Sequence, residues 1–294
     1  MDGTSEKVRQ DLKEYAAELL HMRQIDIATD DVAKLREKQG FICDMDGVIY
    51  HGNRLLPGVQ RFVDWLRKEN KRFLFLTNSS ERAPRELQQK LYRLGLDVDE
   101  SIFYTSALAT AGFLKSQLKS GHGNASAYVI GEPGLFGAIY EAGYVMNEIN
   151  PEYVVVGETH SYSYDKIERA IRLVLGGAKL IGTNPDLTGP SEGGISPACR
   201  ALVAPIELAT GKSAYYIGKP NPLIMRHAMK RLGVPAEQTA IIGDRMDTDI
   251  IAGIESEIDT VLVLSGVTSR EGVSQFPYSP HYILNGVGDI AGDY

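Results

Sequence analysis

Two aspartates spaced two residues apart, Asp44 and Asp46, follow a short apolar run and precede a glycine in the segment Phe-Ile-Cys-Asp-Met-Asp-Gly-Val. If that run is a strand, both carboxylates stand just beyond its carboxyl end, where open α/β sheets bind their ligands. One such carboxylate can attack a phosphate ester as a nucleophile, and a second can give and take the proton. A lone Asp-x-Asp-Gly is equally well a solvated turn, so the pattern needs company. Three further strand ends supply it. The run Arg72-Phe-Leu-Phe-Leu76 leads into Thr77-Asn78-Ser79-Ser80, hydroxyls and amides ahead of a helix that can donate to a phosphate. Ile217-Gly218-Lys219-Pro220 sets a lysine before a helix, and Ile241-Ile242-Gly243-Asp244 ends in a carboxylate with Asp247 and Asp249 close behind. Most strand-to-helix turns carry no chemistry, so four turns furnished for one reaction argue for a single site.

The elements that would position these residues are βαβ units. Apolar runs at Phe41–Cys43, Arg72–Leu76, Ala240–Ile242 and Thr260–Leu264 alternate with helical patterns at 58–69, 84–94, 221–232 and 248–255. Pro84 and Pro222 stand near the starts of two of these helices, as N-termini favour. A second βαβ rhythm occupies the middle of the chain, with apolar runs at Ala127–Ile130, Tyr153–Val156 and Lys179–Thr183. The expected architecture is α/β: a doubly wound parallel-sheet, Rossmann-like core over 39–118 and 214–294, with a large inserted α/β cap over 119–213. Gly121, Gly123 and Gly211 lie near the junctions, where a hinge needs permissive backbone. Residues 1–38 read as a helical extension. Val8, Leu12, Tyr15, Leu19 and Leu20 recur at helical spacing within 5–22, a stripe suited to docking or to forming a homo-oligomer.

Composition narrows the partners. With 294 residues, 43% hydrophobic and 23% charged, the chain has the make-up of a globular protein large enough to bury a core without staples. A net charge of −7 argues against a nucleic acid or an anionic membrane as partner. Cys43 and Cys199 match no metal-ligand spacing and read as reduced thiols of a reducing compartment. The charged first 38 residues hold neither a signal stretch nor a membrane-spanning run, so a cytoplasmic setting is expected.

In order and spacing, Asp44-Met-Asp46-Gly47, Thr77-Asn78, Lys219-Pro220 and Gly243-Asp244 through Thr248-Asp249 resemble the four motifs of the haloacid dehalogenase superfamily. The likeness is to its NagD-like, or 4-nitrophenylphosphatase-like, branch and spans about residues 40–290. Gly-Glu-Pro-Gly at 131–134 and Gly-Thr-Asn-Pro-Asp at 182–186 resemble that branch's cap. The resemblance implies a magnesium-dependent phosphomonoester hydrolase that forms an aspartyl phosphate on a small phosphate ester, such as a nucleoside monophosphate or a sugar phosphate. Asp44 would be the nucleophile and Asp46 the general acid and base, its side chain turned away from the metal. Lys219 would hold Asp44 and the phosphoryl oxygens, while Thr77, Asn78 and Ser79 donate hydrogen bonds to the phosphate. Mg²⁺ would lie among Asp44, the Asp46 backbone carbonyl and Asp244, with Asp249 acting through water.

Asn184 and Asp186 in the cap are expected to face the substrate. Arg200 is a departure: Pro197-Ala198-Cys199-Arg200 puts a cation where relatives are small, and Arg200 is expected to read an anionic or hydrogen-bond-rich part of the substrate. Ser79 replaces the Asn of many relatives, and Gly157-Glu158-Thr159 lacks an Asp two residues after the glycine. A phosphomutase or phosphotransferase would share the aspartyl phosphate and stays open on motifs alone. A dehalogenase needs no acid at Asp46, a receiver module orders its motifs differently, and a catalytically silent binding protein would be expected to lose motif residues that are all present. His51, His160 and His227 read as structural or solvent-facing, and Asp247 as a helix-start acid.

Overall fold

The computed structural model describes residues 29–118, 125–191 and 194–292, so the helix expected within 5–22 lies outside the described residues. Strand Gly40–Cys43 is buried along its whole length because its alternate side chains feed two layers. Phe41 and Cys43 enter an apolar cluster with Phe62, Trp65, Phe75 and Phe103, whereas Ile42 faces the opposite layer with Leu74, Leu76, Ile224 and Ile241. Phe41 meets the rings of Phe62 and Trp65 edge-on, with centroids 6.2 and 5.6 Å away.

Gly40–Cys43 pairs in parallel with Thr239–Gly243 on one side and Arg72–Thr77 on the other, setting Ile42 opposite Ile241 and Leu74. Phe103–Thr105 completes one flank, and Asp259–Val263 then Tyr282–Leu284 the other. Chain order therefore reverses between the strands that end at Cys43 and Gly243. Such a reversal opens a crevice beyond the carboxyl ends, and Asp44 and Asp244 are the first residues to enter it. The two short edge strands, Phe103–Thr105 and Tyr282–Leu284, go beyond the four strands legible as apolar runs.

The inserted α/β cap carries its own parallel sheet, in the order Tyr215–Tyr216, Lys179–Gly182, Tyr153–Val156, Ser126–Ile130, Val145–Met146. An antiparallel hairpin, Thr188–Ser191 with Gly194–Pro197, projects from it. This sheet runs past the expected boundary at 213, since Tyr215–Tyr216 pairs with Ile181–Gly182 as the chain returns toward the larger sheet. Helix Ser106–Gln117 joins the two parts. Its Ala107, Ala111 and Leu114 share one cluster with Leu76 of the larger sheet and Ala127, Leu135 and Ile139 of the cap. A helix buried from several sides has no polar face, which is why no amphipathic stripe announces it.

Local chemistry starts the helices that follow the motif strands. At Pro84–Arg93, the Ala83 N–H donates to Glu86 Oε2 at 2.8 Å, and at Pro222–Leu232 the Asn221 side chain accepts from Leu223 N at 2.9 Å. The helix expected over 248–255 begins earlier, as a π-helical turn over Met246–Ile250 that passes into Ile251–Glu255. The wide turn brings Ile250 N to Arg245 O at 3.2 Å and swings Asp249 back toward the strand end.

Phe41→Ala should cost about 3–5 kcal/mol by leaving a cavity beside the rings of Phe62 and Trp65. The melting temperature should then fall on the order of 10 °C. An unchanged melting curve would contradict this account of the core.

Candidate active site

Lys219 is the most deeply committed charge in the crevice. It is 2% exposed, and its ammonium lies 2.5 Å from Asp44 Oδ1, 2.6 Å from Asp249 Oδ1 and 3.4 Å from the Leu76 carbonyl. Burial alone would favour its neutral form, but Asp249 and Asp44 outweigh that and raise its pKa above the ordinary lysine range. Burial pushes Asp44 well above the usual carboxylate range; Lys219 opposes the shift, while Asp249 and Asp244 add to it. Carboxylate oxygens of Asp44, Asp244 and Asp249 lie within 4.8 Å of one another. Three acids around one ammonium leave a buried excess of negative charge, which calls for a further cation. An all-oxygen donor set of this kind suits a hard divalent ion such as Mg²⁺.

Asp244 is held from behind. Its Oδ2 accepts from Val267 N at 2.7 Å, and its backbone carbonyl accepts from Thr268 N at 3.0 Å. Burial, with Asp249 nearby, pushes its pKa up to about 7. Glycine is needed around it: a Cβ at Gly47, where φ is +79°, would lie 2.5 Å from Asp244 Oδ2, and one at Gly266 would lie 2.0 Å away. The loop Ser265–Thr268 was not singled out from the sequence, although it follows the strand Asp259–Val263 and the strand-end rule applies to it. Asp249 is occupied on both oxygens, by Lys219 and by Arg245 N at 3.2 Å. Asp247 is exposed and pairs with Arg245 at 2.8 Å.

Asp46 is not one of the three clustered acids. Its Oδ1 is covered and has no hydrogen-bond partner among the described residues, with His51 Nδ1 at 3.7 Å. Burial raises its pKa, and Lys90 and then His51 oppose the rise. A carboxyl group that is separate from the charged cluster and inclined to hold a proton is suited to proton transfer.

Comparison with known proteins gives the family of the chain. A haloacid dehalogenase-like hydrolase model matches residues 41–145, and a second model of HAD hydrolases matches 216–290. Dihydroxyacetone phosphatase of Corynebacterium glutamicum is 47% identical over 251 residues, covering 85% of this chain and 90% of the relative. The ribonucleotide monophosphatase NagD of Escherichia coli is 40% identical over 249 residues, covering 85% and 96%. The chain belongs to the NagD-like branch of the haloacid dehalogenase superfamily. It is a phosphatase. Among solved structures, 4-nitrophenylphosphatase from Thermotoga maritima is similar with a TM-score of 0.82 at 34% identity, covering 87% of this chain and 97% of that one. NagD from Escherichia coli has a TM-score of 0.79 at 38% identity, covering 86% and 98%.

In this NagD-like phosphatase the second motif divides its labour. The Thr77 hydroxyl accepts from Ser79 N at 3.1 Å and keeps its own hydrogen to donate. Ser79 is half-buried with Oγ 3.5 Å from Glu81 N. The Asn78 side chain, expected to donate to phosphate, is instead consumed within the protein. Its Nδ2 donates to Asp186 Oδ2 at 2.9 Å and to the Lys219 carbonyl at 3.0 Å, and its Oδ1 accepts from Lys219 N at 2.7 Å. Asn78 therefore clamps the peptide that carries the buried lysine. Asn184, expected to face substrate, is fully buried and donates to Asn78 O at 2.8 Å and Glu158 Oε1 at 3.1 Å. Asp186 does reach the crevice, between Asn78 and Arg245. Arg200 adjoins Asp186 through its backbone, its N–H donating to the Asp186 carbonyl at 3.0 Å. It is exposed, with its guanidinium 5.9 Å from the Tyr216 ring. Cys199, the first residue of helix Cys199–Thr210, takes the buried face, so its successor, about 100° further round, turns to solvent.

Glu158 and Ser80 complete the junction; Glu158 was not foreseen as a site residue, and Ser80, read as part of the phosphate-donor cluster, bonds within the protein instead. Ser80 Oγ accepts from Glu158 N and from the Thr183 hydroxyl, both at 3.3 Å, and joins core to cap. Burial pushes Glu158 up to about 7; the Asn184 bond opposes this, and Glu81 and Asp186 add to it. An acid raised from 4.5 in this way ionises earlier in the unfolded chain, so stability falls as pH climbs from 4.5 to 7 and stays lowered above. Glu158→Gln keeps an acceptor for Asn184 and should raise the melting temperature more at pH 8 than at pH 5. Equal shifts at both pH values would show that the carboxylate carries no such penalty.

Proposed function

We propose that this phosphatase hydrolyses small phosphomonoesters through a phosphoryl group carried on Asp44. The observation that carries the reading is the Lys219 ammonium, 2.5 Å from Asp44 and 2.6 Å from Asp249 in a buried crevice. It holds Asp44 as an oriented anion. Asp44 attacks phosphorus in line, the ester P–O bond breaks, and Asp46 gives its proton to the departing oxygen. In the second half Asp46 takes a proton from water, which attacks the acyl phosphate at phosphorus and releases inorganic phosphate and free Asp44. Lys219, the Thr77 hydroxyl and backbone N–H groups of the 78–80 loop stabilise the phosphoryl oxygens as charge spreads onto them. Asp44, the Asp46 carbonyl and Asp244 would hold Mg²⁺, which when bound supplies neutralisation of the phosphoryl charge. Asp249 orients Lys219 through Oδ1 and would act on the ion through water.

The substrate class, small phosphorylated metabolites of the triose, sugar or nucleoside monophosphate kind, is supported by the names of the dihydroxyacetone, ribonucleotide and acid sugar phosphatases among its relatives. A cytoplasmic setting is consistent with two buried free thiols. Among the described residues, no helix is long and apolar enough to cross a membrane.

Asp44→Asn should lower phosphate release by more than about 10²-fold while leaving the melting curve in place. A variant retaining more than a hundredth of wild-type rate, roughly the least that covalent catalysis supplies, would remove Asp44 from the nucleophile's role. Chelation should abolish turnover and added Mg²⁺ restore it, and Asp244→Asn should shift the Mg²⁺ titration to far higher concentration. An unshifted titration would move the ion elsewhere.

A further inference from the structure

Beside Asp46 lies a cation that the mechanism does not use. Lys90 sits on helix Pro84–Arg93, directly behind the Thr77–Ser80 loop, and its ammonium is 3.5 Å from the centroid of the Tyr50 ring. That ring is 5% exposed and is tied to the segment bearing Asp46: Gly47 N donates to Tyr50 O at 2.8 Å, and Tyr50 N to Met45 O at 3.2 Å. The ammonium is thus seated on a buried ring of the same turn that carries the proton-transfer group, Asp46 and Tyr50 being paired by an isolated bridge. Lys90 is the strongest favourable charge acting on Asp46, ahead of His51. It is half-buried, with Glu81 and Arg82 also close enough to influence it. Among the described residues no carboxylate closes a direct ion pair with Lys90, so its N–H donors are not consumed.

We propose that Lys90 binds an oxygen acceptor of the leaving group, a hydroxyl or carbonyl on the carbon next to the ester, and so selects oxygen-rich phosphate esters over plain alkyl ones. This rests on the function proposed above. The geometry is simple. The ester oxygen must come within hydrogen-bond reach of Asp46 to be protonated, and the leaving group then extends along the rim on which Lys90 stands. An oxygen on the adjacent carbon meets a partly desolvated ammonium, and a charged hydrogen bond made there is stronger than one in water. A leaving group with no such oxygen gains nothing from Lys90. The Tyr50 contact fixes where the charge lies, which makes the selection positional rather than a general attraction of anions.

The test compares Lys90→Met, which keeps a stem against Tyr50 and removes the charge, on three substrates with Mg²⁺ present. Glycerol phosphate and propyl phosphate differ only in hydroxyls, and nitrophenyl phosphate is a good leaving group without them. The expected result is a loss in kcat/KM of about 10- to 100-fold on glycerol phosphate, within threefold of wild type on the other two, with Lys90→Arg restoring part of the loss. Equal losses on glycerol and propyl phosphates but not on nitrophenyl phosphate would assign Lys90 to tuning Asp46 and overturn the proposal. Equal losses on all three would make it a packing residue, and no loss would leave it idle; both also overturn it. Wild-type hydrolysis of nitrophenyl phosphate, and its disappearance in Asp44→Asn, tests the underlying function separately.

Discussion

The buried lysine is the constraint around which the rest of the site is built. Lys219 satisfies Asp44 and Asp249 at once, and without it two carboxylates would face each other in a crevice largely closed to water. Its charge survives burial because the acids that surround it are themselves buried, and theirs is stabilised by it. The balance is incomplete, since Asp244 adds a third carboxylate. A site that is short of one cation until an ion and an anionic substrate arrive is suited to binding both together.

Holding the lysine requires both parts of the fold. Its peptide is clamped by Asn78, whose other contacts are Asp186 and Asn184 of the cap, and Asn184 reaches on to Glu158 beside Ser80. The close approach leaves no room at Gly218, where a Cβ would lie 2.6 Å from Asn78 Oδ1 and 2.7 Å from Asn184 Cβ. Cap position and charge placement are therefore one mechanical problem. The same two amides that seat the cap on the larger sheet fix the peptide that carries Lys219.

The strand ends were legible because each is a polar residue at the end of an apolar run, and a buried run can place such a residue only at the sheet's edge. Asp44, Asp46 and Asp244 announced themselves in that way, whereas the strand before Lys219, Tyr215–Tyr216, is a short, partly exposed one at the margin of the cap sheet. The amides did not, since nothing in the types of Asn78 and Asn184 tells a phosphate donor from a structural clamp until their neighbours are known. Helix Ser106–Gln117 escaped because it is covered on several sides, and the edge strands because three residues carry too little pattern. The orientation of Arg200 was not legible from its type. The face on which it sits depends on where helix Cys199–Thr210 starts, and the burial of Cys199 decides that. Lys90 gave no sequence signal at all, being one lysine on a charged helix until the fold brings it onto Tyr50.

The central claim is that Asp44, held by Lys219, accepts the phosphoryl group before water does. Its most direct test is the stereochemical course at phosphorus, using a substrate made chiral there with sulfur and oxygen isotopes and hydrolysed in water carrying a third isotope. Two successive in-line displacements each invert the centre, so the account predicts net retention. Net inversion would mean a single direct attack by water and would contradict it.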